Sequence, residues 1–324
     1  MLSNFTYIRP KTLKEASTHL TAEGACLHAG GTDLLGCLRD HVFEINKIVS
    51  INGLKELKGI KKTADGGIRI GALTTISEVS ENPIVTSQYW ALAKAAQDVA
   101  SPQLRNQGTI GGNICQKPRC WYYRGDFHCL RKKGEKCFAV AGENQYHCIL
   151  GGGPCFIVNP SDTAHALVAL EASIHIAGPQ GTRTVALEKF HVLPKVDVFR
   201  ETVLEPGEIV TEILLPPAQG VTSSYRKVRA RASWDFALAG LALAIKFNGD
   251  VVAGARAVLS GAAPIPWRSH EIENSIIGRR LDESTAVKAA EAAMMDARPL
   301  AQNDYKIPLF RGMIEEELLA AKKT

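Results

Sequence analysis

No run in this chain approaches the roughly 18 apolar residues that a bilayer-crossing helix needs, so a soluble protein with no membrane role is expected. The C-x2-C pairs that usually mark structural zinc do not occur. Neither G-x-G-x-x-G nor G-x-x-x-x-G-K-[ST] is present, which argues against a Rossmann dinucleotide site and a P-loop. The nine histidines form no i,i+4 pair, and no nucleophile or acid–base pair rises above background, so no catalytic residue is assigned. A net charge of +5 is too mild to imply nucleic acid. Met1-Leu2-Ser3-Asn4-Phe5-Thr6-Tyr7-Ile8-Arg9-Pro10 has no apolar signal region, so a cytoplasmic location is expected and disulfides are not. There is no internal repeat and no low-complexity linker.

What is present is an ordinary globular composition, 45% hydrophobic over 324 residues, enough for about two domains. Periodicity predicts an α+β order. Phe5–Ile8 reads as a strand, Lys11–Ala22 as a helix, and Ala25–Ala29 as a short strand. Strands follow near Lys47–Ile51, Leu57–Lys61 and Ile68–Gly71, the last two a hairpin turning through Asp65-Gly66-Gly67. Thr75–Ser80 and Tyr89–Ala100 read as helices. Ser161-Asp162 opens a helix to Leu170 with Ser161 placed to cap it, and strands at Ser173–Ala177 and Thr182–Ala186 follow. Pro216-Pro217 marks the boundary between a first domain, 1–217, and a second, 218–324. Beyond it a meander of Ser223–Val228, Leu238–Phe247 and Val251–Leu259 precedes helices at Arg268–Ile277, Glu283–Ala297 and Leu309–Ala321, suggesting a sheet with helices on one face.

Two glycine motifs carry chemistry. Ala29-Gly30-Gly31-Thr32-Asp33-Leu34-Leu35-Gly36 is a strand that ends in paired glycines and turns into a short helix. Such a turn offers backbone N–H groups and a helix N-terminus to an anion, and glycine lets a pyrophosphate approach the backbone closely. Thr109-Ile110-Gly111-Gly112-Asn113 repeats this chemistry with an added hydroxyl. Paired glycines most often only make turns; two such motifs in one chain are more telling.

Five of the eight cysteines, Cys120, Cys129, Cys137, Cys148 and Cys155, fall within a window of 36 residues that lies between the second glycine motif and the Ser161-Asp162 helix. Four thiolates suffice for an iron–sulfur cluster; zinc and plain buried thiols are the alternatives, and Cys26, Cys37 and Cys115 read as such thiols. The first half of this window is basic. Lys117, Arg119, Arg124, Arg131, Lys132, Lys133 and Lys136 face only Asp126 and Glu135, which reads as a solvated loop or a patch that steers an acidic donor.

Together these motifs resemble the flavin subunit of the xanthine oxidase family of molybdenum hydroxylases, which pairs an A-G-G-type loop with a T-I-G-G-N loop. The resemblance extends through Asn159-Pro160-Ser161-Asp162, Thr202-Val203-Leu204-Glu205-Pro206-Gly207-Glu208-Ile209 and Tyr225-x-Lys227-x-x-x-Arg231, and so covers nearly the whole chain. It implies an α+β, PCMH-type (vanillyl-alcohol-oxidase-like) FAD-binding domain of two subdomains, then a C-terminal domain with a three-stranded antiparallel sheet and helices. It implies FAD held at Ala29 to Gly36 and Thr109 to Asn113, with Ser101 close by, Asp162 accepting a hydrogen bond from the cofactor, and Leu204 and Lys227 near its rings.

The chain departs from the usual family pattern by an insertion at about 114–158, where the cysteines lie. This insertion resembles that of the flavin subunit of 4-hydroxybenzoyl-CoA reductase, which carries an extra 4Fe–4S cluster, and that of a bacterial aldehyde oxidoreductase. The resemblance implies Cys120, Cys129, Cys137 and Cys155 as its ligands and leaves Cys148 out. It further implies a molybdopterin-binding large subunit and a 2Fe–2S small subunit as partners, in a dimer of heterotrimers. The expected role is an electron-transfer subunit serving reductive dehydroxylation of 4-hydroxybenzoyl-CoA, with reduced ferredoxin as donor. The alternatives are an aldehyde- or purine-oxidising hydroxylase, a stand-alone flavin oxidase and a zinc-binding adaptor.

Overall fold

The computed structural model describes residues 2 and 4–321; Met1 and Ser3 of the N-terminal reading lie outside it. The chain opens with β1 (Thr6–Ile8), α1 (Leu13–Leu20), β2 (Ala25–His28), α2 (Leu34–Arg39) and β3 (Lys47–Ser50). These strands form a parallel sheet in the order β1-β3-β2. Thr12 starts α1 by accepting the Glu15 amide at 3.1 Å, and Ala16 is buried against Val49, Ile51 and Leu54.

The second subdomain begins with the hairpin β4 (Ile60–Lys62) and β5 (Ile68–Gly71), turned at Gly66 with φ +90°, as its Asp-Gly-Gly sequence predicts. Short helices follow: α3 (Ile76–Glu81), α4 (Pro83–Gln88), α5 (Trp90–Gln97), α6 (Pro102–Gln107), α7 (Ile110–Ile114) and α8 (Trp121–Arg124). Several carry a capping side chain; Thr75 and Glu78 form a reciprocal capping box on α3, and Asn82 with Pro83 starts α4. Then come α9 (Asp162–Ala169), β6 (Ser173–Gly178), β7 (Gly181–Ala186) and β8 (Ile209–Leu215), completing a sheet in the order β4-β5-β8-β6-β7. The central strand β8 was not expected. Thr211 and Glu212 interrupt its apolar pattern, and Glu212 answers Arg69 and His175 on neighbouring strands.

Strands β9 (Val221–Val228), β10 (Ala239–Asn248), β11 (Val251–Ser260) and the two-residue β12 (Trp267–Arg268) form an antiparallel sheet, with α10 (His270–Ile276), α11 (Glu283–Ala293) and α12 (Lys306–Ala321) after it. The sheet has four strands, not three. Arg268, expected to open a helix, instead pairs with Val258, and Ser269 caps α10.

Helices cover both faces of this sheet rather than one. On β10, Leu241, Leu243 and Ile245 pack with α10, α11 and α12, while Ala242 and Ala244 pack in the core of the first domain with α5 and α9. Period-two alternation sends successive side chains to opposite faces. Two covered faces therefore make β10 apolar along nearly its whole length.

Candidate functional site

The two glycine motifs lie against each other. A Cβ on Gly30 would come within 2.1 Å of the Gln107 carbonyl, and one on Gly108 within 3.4 Å of Thr32 Oγ1. Only glycine permits so close a backbone crossing. Gly31 takes φ +76°, a left-handed turn that redirects the chain from β2 into α2. Among the described residues, the amides of Gly31, Thr32 and Asp33 donate to no protein acceptor, and Asp33 does not cap α2. Gly36 borders open space, Leu35 is exposed, and Ala29 and Leu34 are half-buried. The second loop is more fully tied. Ile110 and Gly111 donate to Thr74 and Ala72, and Thr109 accepts the Gly112 amide at 3.1 Å.

Asn113 joins this loop to α9 by accepting from Ser161 Oγ at 2.6 Å and Thr163 Oγ1 at 2.7 Å. Ser161 also caps α9, as expected, through the Ala164 amide at 3.0 Å. Ser101 caps α6 beside the second loop.

Asp162 is buried, and both its oxygens are engaged by the protein itself: Lys227 Nζ at 2.7 Å and Tyr225 Oη at 2.7 Å. Tyr225 and Lys227 are two apart on β9 and so share a face. Lys227 is no solvated strand lysine; its side chain is 1% exposed and also donates to the Asp98 carbonyl at 3.1 Å. Burial raises the Asp162 carboxyl above its usual range, with Lys227 opposing, and burial beside Asp162 pushes the Tyr225 phenol well up. Asp162 forms part of the wall of a cavity of about 180 Å³, with Asn159 and Pro160, Arg119 to Trp121 of the insertion, and Phe236 of the second domain. Leu204 lies away from this wall, packed on the main core.

The insertion is short turns held from both sides. Cys120, Cys129 and Cys137 each stand at the N-terminal cap of a short helical turn: α8, Leu130–Lys132 and Phe138–Val140. Backbone amides at such caps have no helical acceptor. Nearby amides favour the thiolates: those of Tyr122 and Tyr123 for Cys120, those of Ala139, Phe156 and Val140 for Cys137, and that of Ile157 for Cys155.

The Cys137 and Cys155 thiols also meet each other. Cys137 falls to about 6, held by the Cys155 thiol and the amides, while Cys155 is raised. Burial lifts Cys120 to about 11, and that thiol lies within electrostatic reach of Cys129 and Cys137. His147 Nε2 is 3.3 Å from Cys120 Sγ. Cys148 is buried beside Gly152, its thiol pushed up to about 12. Among the described residues, no three His, Cys, Asp or Glu side chains converge as a bound metal ion would need.

The basic residues are only partly solvated. Asp33 of the first glycine loop pairs with Arg119 at 2.9 Å and Arg124 at 2.7 Å and accepts the Lys117 amide at 2.8 Å. Glu201 pairs with Lys117 and Arg131. Four of the seven cations thus turn inward onto two carboxylates; of the rest, Lys132 donates to the Gly125 carbonyl and Lys136 lies over Phe138.

The other side is a clamp from the second domain. Asn303 donates to the His147 and Cys148 carbonyls, Asn144 and Gln302 exchange bonds, and Lys306 reaches the Tyr146 and Gly261 carbonyls. Glu201, Tyr225, Asn303 and Lys306 were not singled out in the sequence as site residues. Only Tyr225 gave a signal, as part of the motif containing Lys227.

Amides aimed at three of the four proposed ligand sulfurs, with Cys129 also at a cap, suit thiolates of an iron–sulfur cluster, whose potential such hydrogen bonds tune. Arg131 adds to the fit, because its buried Nε and Nη1 have no hydrogen-bond partner among the described residues. The close glycine crossing and free amides of the first loop suit a pyrophosphate.

Residues 3–218 match the family model described as the FAD binding domain in molybdopterin dehydrogenase, and residues 223–321 match the CO dehydrogenase flavoprotein C-terminal domain. The chain is 34% identical over 325 residues to the aldehyde oxidoreductase FAD-binding subunit PaoB of Escherichia coli (strain K12), covering 98% of each chain. It is 29% identical to the carbon monoxide dehydrogenase medium chain of Hydrogenophaga pseudoflava, covering 98% of this chain and 96% of that one. A solved structure of carbon monoxide dehydrogenase from Hydrogenophaga pseudoflava, lacking the Mo-pyranopterin moiety, superposes with a TM-score of 0.78 at 28% identity, over 99% of this chain and 98% of the other.

Proposed function

Because the chain belongs to the FAD-binding medium subunits of the molybdenum hydroxylase (xanthine oxidase) family, we propose that it relays electrons through FAD and a 4Fe–4S cluster for a partner that performs the substrate chemistry. When bound, the flavin exchanges one or two electrons and a cluster only one, which suits the pair to splitting an electron pair. The FAD pyrophosphate would lie along Gly30 to Asp33 and Thr109 to Gly112. The Lys227–Asp162–Tyr225 set keeps its charges neutralised in the cavity wall, and Asn113 fixes the second loop to α9. Cys120, Cys129, Cys137 and Cys155 would hold the cluster, with amides donating to their sulfurs.

The single observation that carries this reading is the docking of the cysteine-bearing insertion onto the flavin loop itself, through Asp33 with Arg119 and Arg124. It holds the cysteines beside the first glycine loop. The partners would be a molybdopterin-binding large subunit and a 2Fe–2S small subunit, assembled as a dimer of heterotrimers.

Full-length similarity to an aldehyde oxidoreductase subunit favours oxidation of an aldehyde on the large subunit, with electrons passing outward through this chain. Reductive dehydroxylation of 4-hydroxybenzoyl-CoA fed by a ferredoxin is the second reading, supported by the likeness of the insertion. Anaerobic purification of the complex, with iron, acid-labile sulfide, FAD and molybdenum counted per chain, tests the first claim. About eight irons beside one FAD and one molybdenum are expected from one four-iron and two two-iron centres; about four irons would remove the cluster from this chain. Turnover with aldehydes, against turnover with 4-hydroxybenzoyl-CoA and a low-potential reductant, separates the two directions.

A further inference from the structure

Two histidines brace the second glycine loop and take no part in the electron relay. His165 on α9 and His191, just after the Leu187–Lys189 turn, are both buried. His165 Nδ1 meets the carbonyl of Ser161, and His191 Nε2 meets that of Ile114 at 3.0 Å. A carbonyl only accepts, so these two nitrogens carry the protons and each ring is a neutral tautomer with its lone pair on the other nitrogen. Those other nitrogens, His165 Nε2 and His191 Nδ1, are buried and have no hydrogen-bond partner among the described residues. A second proton on either ring would therefore make a buried cation whose new donor faces no acceptor, which is strongly disfavoured.

The two carbonyls belong to the frame of the flavin loop. Ser161 Oγ and Thr163 Oγ1 donate to Asn113, the last residue of the T-I-G-G-N motif, and Ile114 follows it. α7, which carries the motif, packs on α9. Lifting the Asn113–Ile114 junction thus breaks the His191 bond and admits water to the end of α9 where His165 is held.

The surroundings do not supply a counter-charge. Burial holds His165 at about 3, with the Ser161 carbonyl opposing and the charges of His191 and Lys227 adding to the fall. Burial likewise holds His191 at about 4, against the Ile114 carbonyl and Glu201, and Glu201 is itself paired with Lys117 and Arg131. Other ionic groups on the elements around α9 are paired or exposed: Lys94 with Asp98, Arg256 and Arg268 with Glu188, Asp162 with Lys227, and Lys189 and Lys246 in solvent. The Cys115 thiol beside Ile114, pushed up to about 12 by burial, stays uncharged in acid.

We infer that His165 and His191 form an acid-sensitive latch on the flavin loop: both rings must stay neutral for the loop to close, so acid opens the Asn113–Ile114 junction and releases FAD. This rests on the FAD reading under Proposed function. An imidazole lowered in the closed form costs nothing above its open-state value and penalises closure increasingly as pH falls through that value. With an ordinary open-state value of about 6.5, each ring shifts the balance about tenfold between pH 7.5 and 5.5, and the two together about 100-fold.

The test uses the full chain loaded with FAD, as wild type, His165→Asn, His191→Gln and the double variant. Asparagine keeps an N–H where Nδ1 stands and glutamine where Nε2 stands, and neither titrates. FAD release after dilution is followed by flavin fluorescence from pH 7.5 to 5.5, with circular dichroism as the check on global unfolding. Release is expected to accelerate about 100-fold in wild type over that range and about tenfold in each single variant. The double variant is expected to keep only the small acceleration that Asp162 and other carboxylates contribute.

Equal acceleration in wild type and the double variant would overturn the inference. Should the variants fail to fold, hydrogen exchange of the wild type decides. Protection of residues 109–116, corrected for the intrinsic rate, that falls between pH 7.5 and 5.5 while β10 and β11 stay protected supports the latch. Protection that holds, or that is lost together with β10 and β11, overturns it. A wild-type chain that binds no FAD at pH 7.5 would overturn the underlying flavin reading instead, a result told apart by flavin absorbance alone.

Discussion

Replacing Lys227 by methionine leaves Asp162 buried with one polar partner, Tyr225. The two side chains are 1% and 6% exposed, so solvent does little to screen the loss. Removing one member of a buried pair costs about 3–5 kcal/mol, because the remaining charge stays without compensation. At roughly 2–4 °C per kcal/mol for a chain of this order of size, the midpoint of unfolding falls by about 6–20 °C.

Protonation of Asp162 limits that loss. Burial already raises its carboxyl, and without Lys227 to oppose it the carboxyl rises further. A folded carboxyl raised above its unfolded value keeps its stability at low pH and loses it as pH rises through the folded value. The deficit of Lys227→Met is therefore larger at pH 8 than at pH 5. The assay is thermal unfolding of the purified flavin-loaded protein at both pH values, followed by circular dichroism and flavin fluorescence. A drop of under about 1 kcal/mol, the scale of an exposed pair, or a larger deficit at pH 5, would refute the reasoning.

Gly30→Ala places a Cβ within 2.1 Å of the Gln107 carbonyl and so drives the two loops apart; the expected outcome is loss of bound FAD with secondary structure retained, read from flavin absorbance after gel filtration. Burial lowers Lys306 to about 8 from 10.5. A lysine depressed in the folded state is less stabilising when charged, so folding gains stability as pH rises from 8 to 10.5, by roughly 3 kcal/mol. Denaturant titrations across that range should show this gain in wild type and its loss in Lys306→Met. Asn303→Ala leaves the His147 and Cys148 carbonyls short of a buried donor; about 1–3 kcal/mol is lost for each unsatisfied group, and limited proteolysis should cut faster within the insertion.

Signals that act over a few residues were legible without coordinates. Caps such as Ser161, the Asp65-Gly66-Gly67 hairpin and the meander of β9 to β11 need only local stereochemistry, and the structure has them where expected. The glycine motifs and the Asn159–Asp162 segment also announced the family, because a backbone that must approach a neighbour closely tolerates only glycine. What the sequence obscured depended on partners far along the chain. β8 was missed because Thr211 and Glu212 break its apolar run, and Glu212 is accommodated only by Arg69 and His175 across the sheet. The C-terminal sheet was expected to have one covered face, since nothing local says that α5 and α9 cover the other.

Charge shows the same division more sharply. Along the sequence, Lys117, Arg119, Arg124 and Arg131 read as surface residues, because a cation's environment is set by whichever carboxylate the fold brings to it. The sequence by itself determined the glycine turns, the caps, the cysteine supply and the family. Only the folded chain could bring Asp33 and Glu201 to those cations and so hold the cysteine-bearing insertion against the first glycine loop. The physical reason is that burying a charge is tolerable only where a partner is close, and closeness between distant residues is a property of the folded chain.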